Sequence, residues 1–396
     1  MLVSLVIIAL NEENTIKNLL KNFTEQDYPH KDIEVILVDG ESTDRTKSIM
    51  EEFAMANRKV SVDGVNGANA KEDVDGLTEY SNMGFRDVRV YDNPKKVLPA
   101  GWNVALKNYK GDAILKVDAH AEIPADFVTN NVRRLESGEY VCGGIRPCIV
   151  DDVTPWKNTL LMAENSMFGA SVAPYRKKGT SAKVGELLSL DPPNYVKSVF
   201  HGAYRREVFE RVGGFNEDLV RTEDNEIHYR IREAGFKIAM DDNIVSYQHI
   251  RSSLTKMLKQ KYSNGLWIGL TTGVCPDCLS IYHYVPFLFV SAIALSAIAL
   301  SVEGVLTLAG VHIAGLAAKF FAAIGALTAA MWSMYGLLAI IMSIMAAVAD
   351  KAKASLYCIL LPFLFLMLHI SYGIGTIVGF LKLPRWKKEY MRKRKQ

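Results

Sequence analysis

Strong net charge is the first thing this chain lacks. Its 46 Lys and Arg face 43 Asp and Glu, a net charge of only +3, so no chain-wide field for nucleic acid is implied. Cysteine is scarce. Of five residues, Cys142 and Cys148 fall in or near a predicted core. Cys275 and Cys278 form C-P-D-C with only His283 close by. A structural zinc site takes about four ligands, so ordinary thiols at a membrane edge are the expectation. The opening "MLVSLVIIALNEEN" has no basic n-region, a short apolar run and no A-x-A-like site. It reads as a buried strand, and the polar part of the chain is expected in the cytosol. Charge is nearly missing from residues 283–381. A clear period is missing from residues 60–86, which read as an inserted surface loop.

What is present begins with alternation. "LVSLVIIAL" and "IEVILVDG" are continuous apolar runs, as expected of strands covered on both faces. "DVRVYDNP" and "DAILKVDAH" follow as a third and a fourth strand. Helices are expected over Glu13 to Glu25, over Thr43 to Ala56 with Ser42 as cap, and around Gly101 to Asn108. The pattern argues for an α/β fold with a mixed, mostly parallel sheet and right-handed crossovers. Ligands of such sheets bind at the carboxyl ends of the strands, where Asn11, Asp39, Asn93 and Asp118 all fall.

The apolar region predicts membrane helices. "HYVPFLFVSAIALSAIALSV" (283–302) is long enough to span a bilayer. Residues 304–349 form a longer run interrupted by Lys319, and 355–381 form another. The tail, 382–396, carries eight Lys or Arg and one Glu, which favours the cytoplasmic side. Placing it on the same side as the first domain requires an even number of spans, so 304–349 is divided into two helices and four are expected. The domains expected are therefore 1–252 with the insert at 60–86, a juxtamembrane segment 253–282, the membrane region 283–381 and a basic cytoplasmic tail 382–396. Lys256, Lys259 and Lys261 could meet anionic lipid or simply set topology.

One acid is conspicuously absent. "KVDAHAEIP" ends a strand in Asp118, but His120 stands where Asp-x-Asp would place a second carboxylate. The ordered set "VIIALNEENTI", "VILVDGESTDRT", "NPKKVLPAGWNVAL", "LKVDAHAEIP", "FHGAYRREVFERVGGFNEDLVRTEDNEIHYRIREAGFKI" and "SYQHIRSSLTKMLKQKYSNG" resembles glycosyltransferase family 2. Within it, the chain looks like the subgroup typified by the succinoglycan-biosynthesis glucosyltransferase. The resemblance covers roughly 1–265. It implies a GT-A fold, a nucleotide-sugar donor, UDP-linked by expectation, and a divalent cation, Mn2+ or Mg2+.

The same resemblance implies a site. Ala9, Asn11, Glu12, Glu13, Asp39 and Glu41 would meet base or ribose, although Glu13 equally suits a helix N-terminus. Asn93, Gly101, Asn103, Lys116, Asp118 and Ala119 would follow along the nucleotide sugar, with an ordinary capping turn as the alternative for Gly101 and Asn103. Asp118 would hold the cation. His120 would ligate it or contact phosphate, and His249 would complete the metal site or be structural. Asp224 would be the general base with Glu223 orienting it, against the alternative of an acidic helix cap. His201, Gly202, Arg205, Arg251 and Gln260 would meet acceptor or phosphate. A Gln-x-x-Arg-Trp motif is lacking after Gln260, which argues against a processive synthase. The activity implied is inverting transfer to a polyprenyl-diphosphate-linked saccharide at the cell membrane, for an exopolysaccharide or capsule. Alternatives are polyprenyl phosphate or a growing polymer as acceptor, or a catalytically silent scaffold. A nucleotidyltransferase is disfavoured because no Gly-rich, basic N-terminal loop is present.

Overall fold

The computed structural model describes residues 1–57, 82–169, 195–251 and 253–394. Most of the expected 60–86 insert therefore lies outside the described residues. The chain divides into two compact units, Met1–Pro147 with Tyr175–His249, and Cys148–Pro174 with Ile250–Gln396.

The first unit is built on a seven-stranded sheet. Its strands are β1 (Val3–Ala9), β2 (Ile33–Asp39), β3 (Asp87–Asp92), β4 (Ala113–Asp118), β6 (Val141–Ile145), β8 (Ala203–Arg205) and β9 (Ile238–Val245), in the order β3-β2-β1-β4-β8-β6-β9. The sheet is mixed and mostly parallel, as expected. Only β8 runs against its neighbours β4 and β6. Every residue of β1 and β2 is buried, which is why both read as unbroken apolar runs rather than alternating ones. Apart from this sheet, β5 (Ala121–Glu122) pairs antiparallel with β10 (Tyr247–His249).

Helices cover both faces. On one side α1 (Ile16–Thr24), α2 (Thr46–Ala56) and α4 (Phe127–Glu136) pack Leu19, Phe23, Phe53 and Val132 into the core. On the other, α3 (Leu98–Asn108), α6 (Arg206–Val212) and α7 (Glu223–Glu233) bury Trp102, Phe209 and Ile227 around Tyr204 of β8. Register aligns Ala9 with Asp39 and Asp39 with Asp92, while Ile8 faces Asp118. These carboxyl ends share one edge. The chain order reverses between β1 and β4, the position where such sheets leave a crevice.

Two helix starts differ from expectation. Helix α1 begins at Ile16, because residues 12–15 form a turn whose Glu12 carbonyl accepts from the Thr15 and Ile16 N–H groups. Helix α2 begins at Thr46, and Ser42 is not its cap: the Ser42 N–H donates to Asp39 and its hydroxyl accepts from the Asn11 N–H.

Among the described residues the second unit holds the two-residue strand β7 (Cys148–Ile149) and five α-helices: α5 (Pro155–Asn165), α8 (Leu254–Thr271), α9 (Val285–Leu308), α10 (Gly315–Ala349) and α11 (Leu361–Lys393). Three helical segments among the described residues are long and apolar enough to cross a membrane: Ile281–Leu308, Gly315–Ala349 and Leu356–Lys393. Four were expected, and the division of 304–349 fails. No proline breaks residues 315–349, and Lys319 sits in the first turns of the helix, where a long side chain reaches outward. The tail is likewise not a separate segment, since α11 continues helically through Pro384 into the basic run.

Helix α8 lies against α11 at backbone contact. A Cβ on Gly265 would fall 2.0 Å from the Tyr372 carbonyl oxygen, and one on Gly375 would fall 2.1 Å from that of Tyr262. Such close approach is what glycine permits. Beside it, buried Lys261 pairs with Glu164 at 2.9 Å, so its ammonium is turned inward rather than toward lipid.

Candidate active site

The carboxyl ends of β1 and β2 carry two loops that are bonded to each other. Asn11 N–H donates to Ser42 Oγ, Glu12 N–H to Thr46 Oγ1 and Glu13 N–H to Asp44 Oδ2. In return Thr43 N–H donates to Asn11 Oδ1 at 2.8 Å and Arg45 N–H to Glu13 Oε2 at 3.1 Å. Glu13 thus meets the start of α2. Asn11 and Glu41 both hold a left-handed backbone with φ of 57°, a conformation that costs a non-glycine residue about 1 kcal/mol or more. Asp39 is fully buried and accepts the Ser42 N–H at 3.1 Å. Glu41 faces solvent and pairs with Lys96 at 2.7 Å.

Asn93 donates from Nδ2 to the Val97 carbonyl at the entry to α3, while its buried Oδ1 has no hydrogen-bond partner among the described residues. Gly101 is buried in the first turns of α3, where a Cβ would meet Ile8 Cγ2 at 2.4 Å. Asn103 is spent on structure. Its amide donates to the Phe215 carbonyl and to Glu217, and its oxygen accepts the Phe215 N–H.

The chemistry gathers where β4 ends beside the start of α7. Lys116 is 3% exposed, yet its Nζ lies 2.5 Å from Asp224 Oδ1 and 5.4 Å from the Trp102 ring centroid. Burial opposes the charge on Lys116, but Asp224, Asp118 and Glu223 overcome it and raise its pKa. Burial also raises Asp224, against the pull of Lys116. Glu223 is pushed up to about 8 by burial and by the adjacent Asp224 charge. Asp118 behaves oppositely: although burial favours its neutral form, His201 and Lys116 hold it well below the usual carboxylate range. One lysine therefore sits among three carboxyl groups of unequal proton affinity, a pattern of acid–base sites.

His201 lies behind Asp118. Its Nδ1 pairs with Ser246 Oγ at 2.7 Å, and its Nε2 faces Asp118 Oδ2 at 3.8 Å, beyond hydrogen-bond range. That Nε2 is buried and has no hydrogen-bond partner. Burial lowers the His201 pKa, favouring a neutral ring. The pair of a carboxylate and an orphaned imidazole nitrogen fits a divalent cation in donor chemistry.

The expected metal set does not assemble. Among the described residues no three His, Cys, Asp or Glu side chains gather into a metal site of their own. His120 turns toward Glu12, 3.6 Å from its Oε1, and receives the Gln248 amide at 3.4 Å. His249 engages Glu122 at 2.9 Å across the antiparallel β5–β10 pair. Arg205 is at the wrong end of the sheet: β8 runs antiparallel, so Arg205 faces Ala113 at the start of β4, and its guanidinium donates to the Leu135 carbonyl. Gly202 is at the right end, its carbonyl accepting the Lys116 N–H. Ala9 and Ala119 contribute buried backbone beside the crevice. Arg251 and Gln260 belong to the second unit.

Sequence reasoning missed Ser246, Trp102 and His228. The last is fully buried, with Nδ1 at 2.8 Å from Ser198 Oγ and Nε2 at 2.8 Å from the Tyr204 hydroxyl, and burial pushes its pKa down to about 3. An apolar-flanked His within a charged helix was the available signal for His228; none marked Ser246.

The family model described as Glycosyl transferase family 2 matches residues 4–63 and 65–213, more than half of the chain. A dolichyl N-acetyl-alpha-D-glucosaminyl phosphate 3-beta-D-2,3-diacetamido-2,3-dideoxy-beta-D-glucuronosyltransferase of Methanococcus voltae is 26% identical over 274 residues, 68% of this chain and 73% of that protein. Succinoglycan biosynthesis protein ExoA of Rhizobium meliloti (strain 1021) is 24% identical over 267 residues, 66% of this chain and 67% of that protein. Among solved structures, mannosyltransferase PcManGT from Pyrobaculum calidifontis, in complex with GDP-Man and Mn2+, matches 95% of this chain and 87% of that one, at TM-score 0.49 and 17% identity. S. aureus TarS 1-349 in complex with UDP matches 68% of this chain and 65% of that one, at TM-score 0.41 and 19% identity.

Proposed function

The chain belongs to glycosyl transferase family 2 and is a glycosyltransferase with the GT-A fold; from that premise we propose inverting transfer of a sugar from a UDP-sugar to a lipid-linked saccharide. The acceptor would be carried on a polyprenyl diphosphate, in assembly of an exopolysaccharide or similar glycan. The Methanococcus voltae relative, whose name specifies a saccharide on a dolichyl phosphate and a β linkage, supports a lipid-linked acceptor though not the diphosphate, and ExoA supports the glycan context. Three apolar helices support attachment to the cell membrane, with the catalytic unit on the cytoplasmic side.

One observation carries the mechanism: Asp118 of β4 and Asp224 of α7 converge on the buried ammonium of Lys116. Lys116 grips Oδ1 of Asp224, while the side chain keeps 22% of its surface exposed. The second carboxylate oxygen is thereby presented to an incoming hydroxyl. Asp224 takes the proton as that oxygen attacks the anomeric carbon, and its raised affinity suits a general base. Glu223, largely neutral beside it, holds the acceptor. Asp39 meets the nucleotide base at the β2 end, with Asn11, Glu12 and Glu41 forming the rim. Asp118 would hold the divalent cation, Mn2+ or Mg2+, which when bound neutralises the departing diphosphate.

The decisive experiment incubates the full-length protein with lipid extract, Mn2+ and a panel of UDP-sugars. UDP release and the mass of the extended lipid are read together. Transfer from one donor with Asp224→Asn inactive is expected; undiminished turnover by Asp224→Asn removes the base assignment.

A further inference from the structure

His201 stands out in the catalytic unit as a buried imidazole whose two nitrogens have unlike fates. Nδ1 is anchored by Ser246 Oγ at 2.7 Å, and Ser246 is itself 4% exposed and backed by its N–H bond to the Ile145 carbonyl. Nε2 has no hydrogen-bond partner and points at Asp118 Oδ2 from 3.8 Å. Leaving a buried acceptor or donor unmatched is costly, so an unspent Nε2 beside Asp118 needs a reason. If Nδ1–H donates to Ser246, the Nε2 lone pair faces the Asp118 carboxylate across the gap, an arrangement that a cation held by both atoms relieves. The 3.8 Å between Nε2 and Asp118 Oδ2 leaves both atoms available as donors to one ion.

Resting on the reading above that a divalent cation binds at Asp118, we propose that His201 is its imidazole ligand, oriented by Ser246, and that His120 and His249 are not. The remaining positions would be taken by phosphate oxygens of the donor and by water, the usual coordination of a cation that serves a diphosphate. His120 and His249 have other partners in Glu12, Gln248 and Glu122. Hydrogen bonding of the second ring nitrogen is the arrangement that fixes metal-binding histidines.

Pulsed electron paramagnetic resonance of Mn2+ bound to the full-length protein, alone and with UDP, tests the assignment without turnover. Wild type and the His120→Gln and His249→Gln variants should all show the 14N modulation of a directly bonded imidazole. His201→Gln should lose it, with Mn2+ affinity falling on the order of tenfold or more. Ser246→Ala should keep the modulation while Mn2+ affinity drops roughly 10–100-fold. Bound Mn2+ without nitrogen modulation in wild type overturns the inference but leaves the cation reading intact. So does modulation that survives His201→Gln or vanishes in His120→Gln or His249→Gln. Failure of wild type to bind Mn2+ in either condition overturns both. Thermal unfolding of His201→Gln separates ligand loss from misfolding, and the Ser246→Ala result stands if that variant does not fold.

Discussion

The two ends of the same sheet handle buried charge in opposite ways. At the amino end, Glu34 of β2 is 1% exposed and surrounded by donors. Its carboxylate receives Ser4 Oγ, the Arg89 guanidinium, and the Lys110 and Gly111 N–H groups. At the carboxyl end, Asp118, Glu223 and Asp224 share Lys116, while Glu223 Oε2 and His201 Nε2 have no hydrogen-bond partner. A saturated cluster resists change and stabilises. An undersupplied one is destabilised in isolation and gains when ligands arrive. Charge burial alone therefore does not mark a catalytic site; incomplete satisfaction does.

Four measurements would break or sharpen this contrast. Asp224→Asn should lower kcat by about 10²–10⁴-fold, the range for a general base, while its amide oxygen can still accept from Lys116 and keep the fold. Glu34→Ala should do the reverse, destabilising by about 3–5 kcal/mol as the guanidinium of Arg89 loses its buried partner, with activity per folded molecule retained; chemical denaturation measures it. Equal catalytic losses in the two variants would erase the distinction. Gly101→Ala should destabilise by about 1–3 kcal/mol through overpacking against Ile8, with the donor KM unchanged. A raised KM instead would make Gly101 a ligand-contact residue. The fourth measurement concerns acid. His228 binds a proton near 6.5 when unfolded but near 3 when folded, so the unfolded state takes up more protons between those values. Its contribution is present above pH 6.5 and is lost as pH falls toward 3, with a slope of at most about 1.4 kcal/mol per pH unit. His228→Asn should flatten the acid limb of stability against pH.

Much of the first unit was legible because its signals are local. The unbroken apolar runs of β1 and β2, and polar residues just past four strand ends, are properties of short windows. The pairing of Lys116 with Asp224 spans 108 positions and was legible only as two separate candidates. Arg205 was misplaced because nearness to His201 in sequence says nothing of strand direction, and antiparallel β8 carries the chain from one end of the sheet to the other. The helix starts were anticipated too early because residues 12–15 and 42–45 bond to each other rather than to their own helices. The number of apolar helices went wrong for another reason: it was inferred from where charges should lie, not from a turn in residues 315–349.

The mutual bonding of the first two loops has a consequence for engineering. Asn11, Glu12 and Glu13 depend on Ser42, Thr46 and Asp44, while Thr43 and Arg45 depend on Asn11 and Glu13. A chimaera that imports one loop from a relative would leave half of these donors and acceptors mismatched. The transplantable cassette is the two loops together, so altering donor choice by recombination calls for crossovers that keep residues 10–46 on one parental segment.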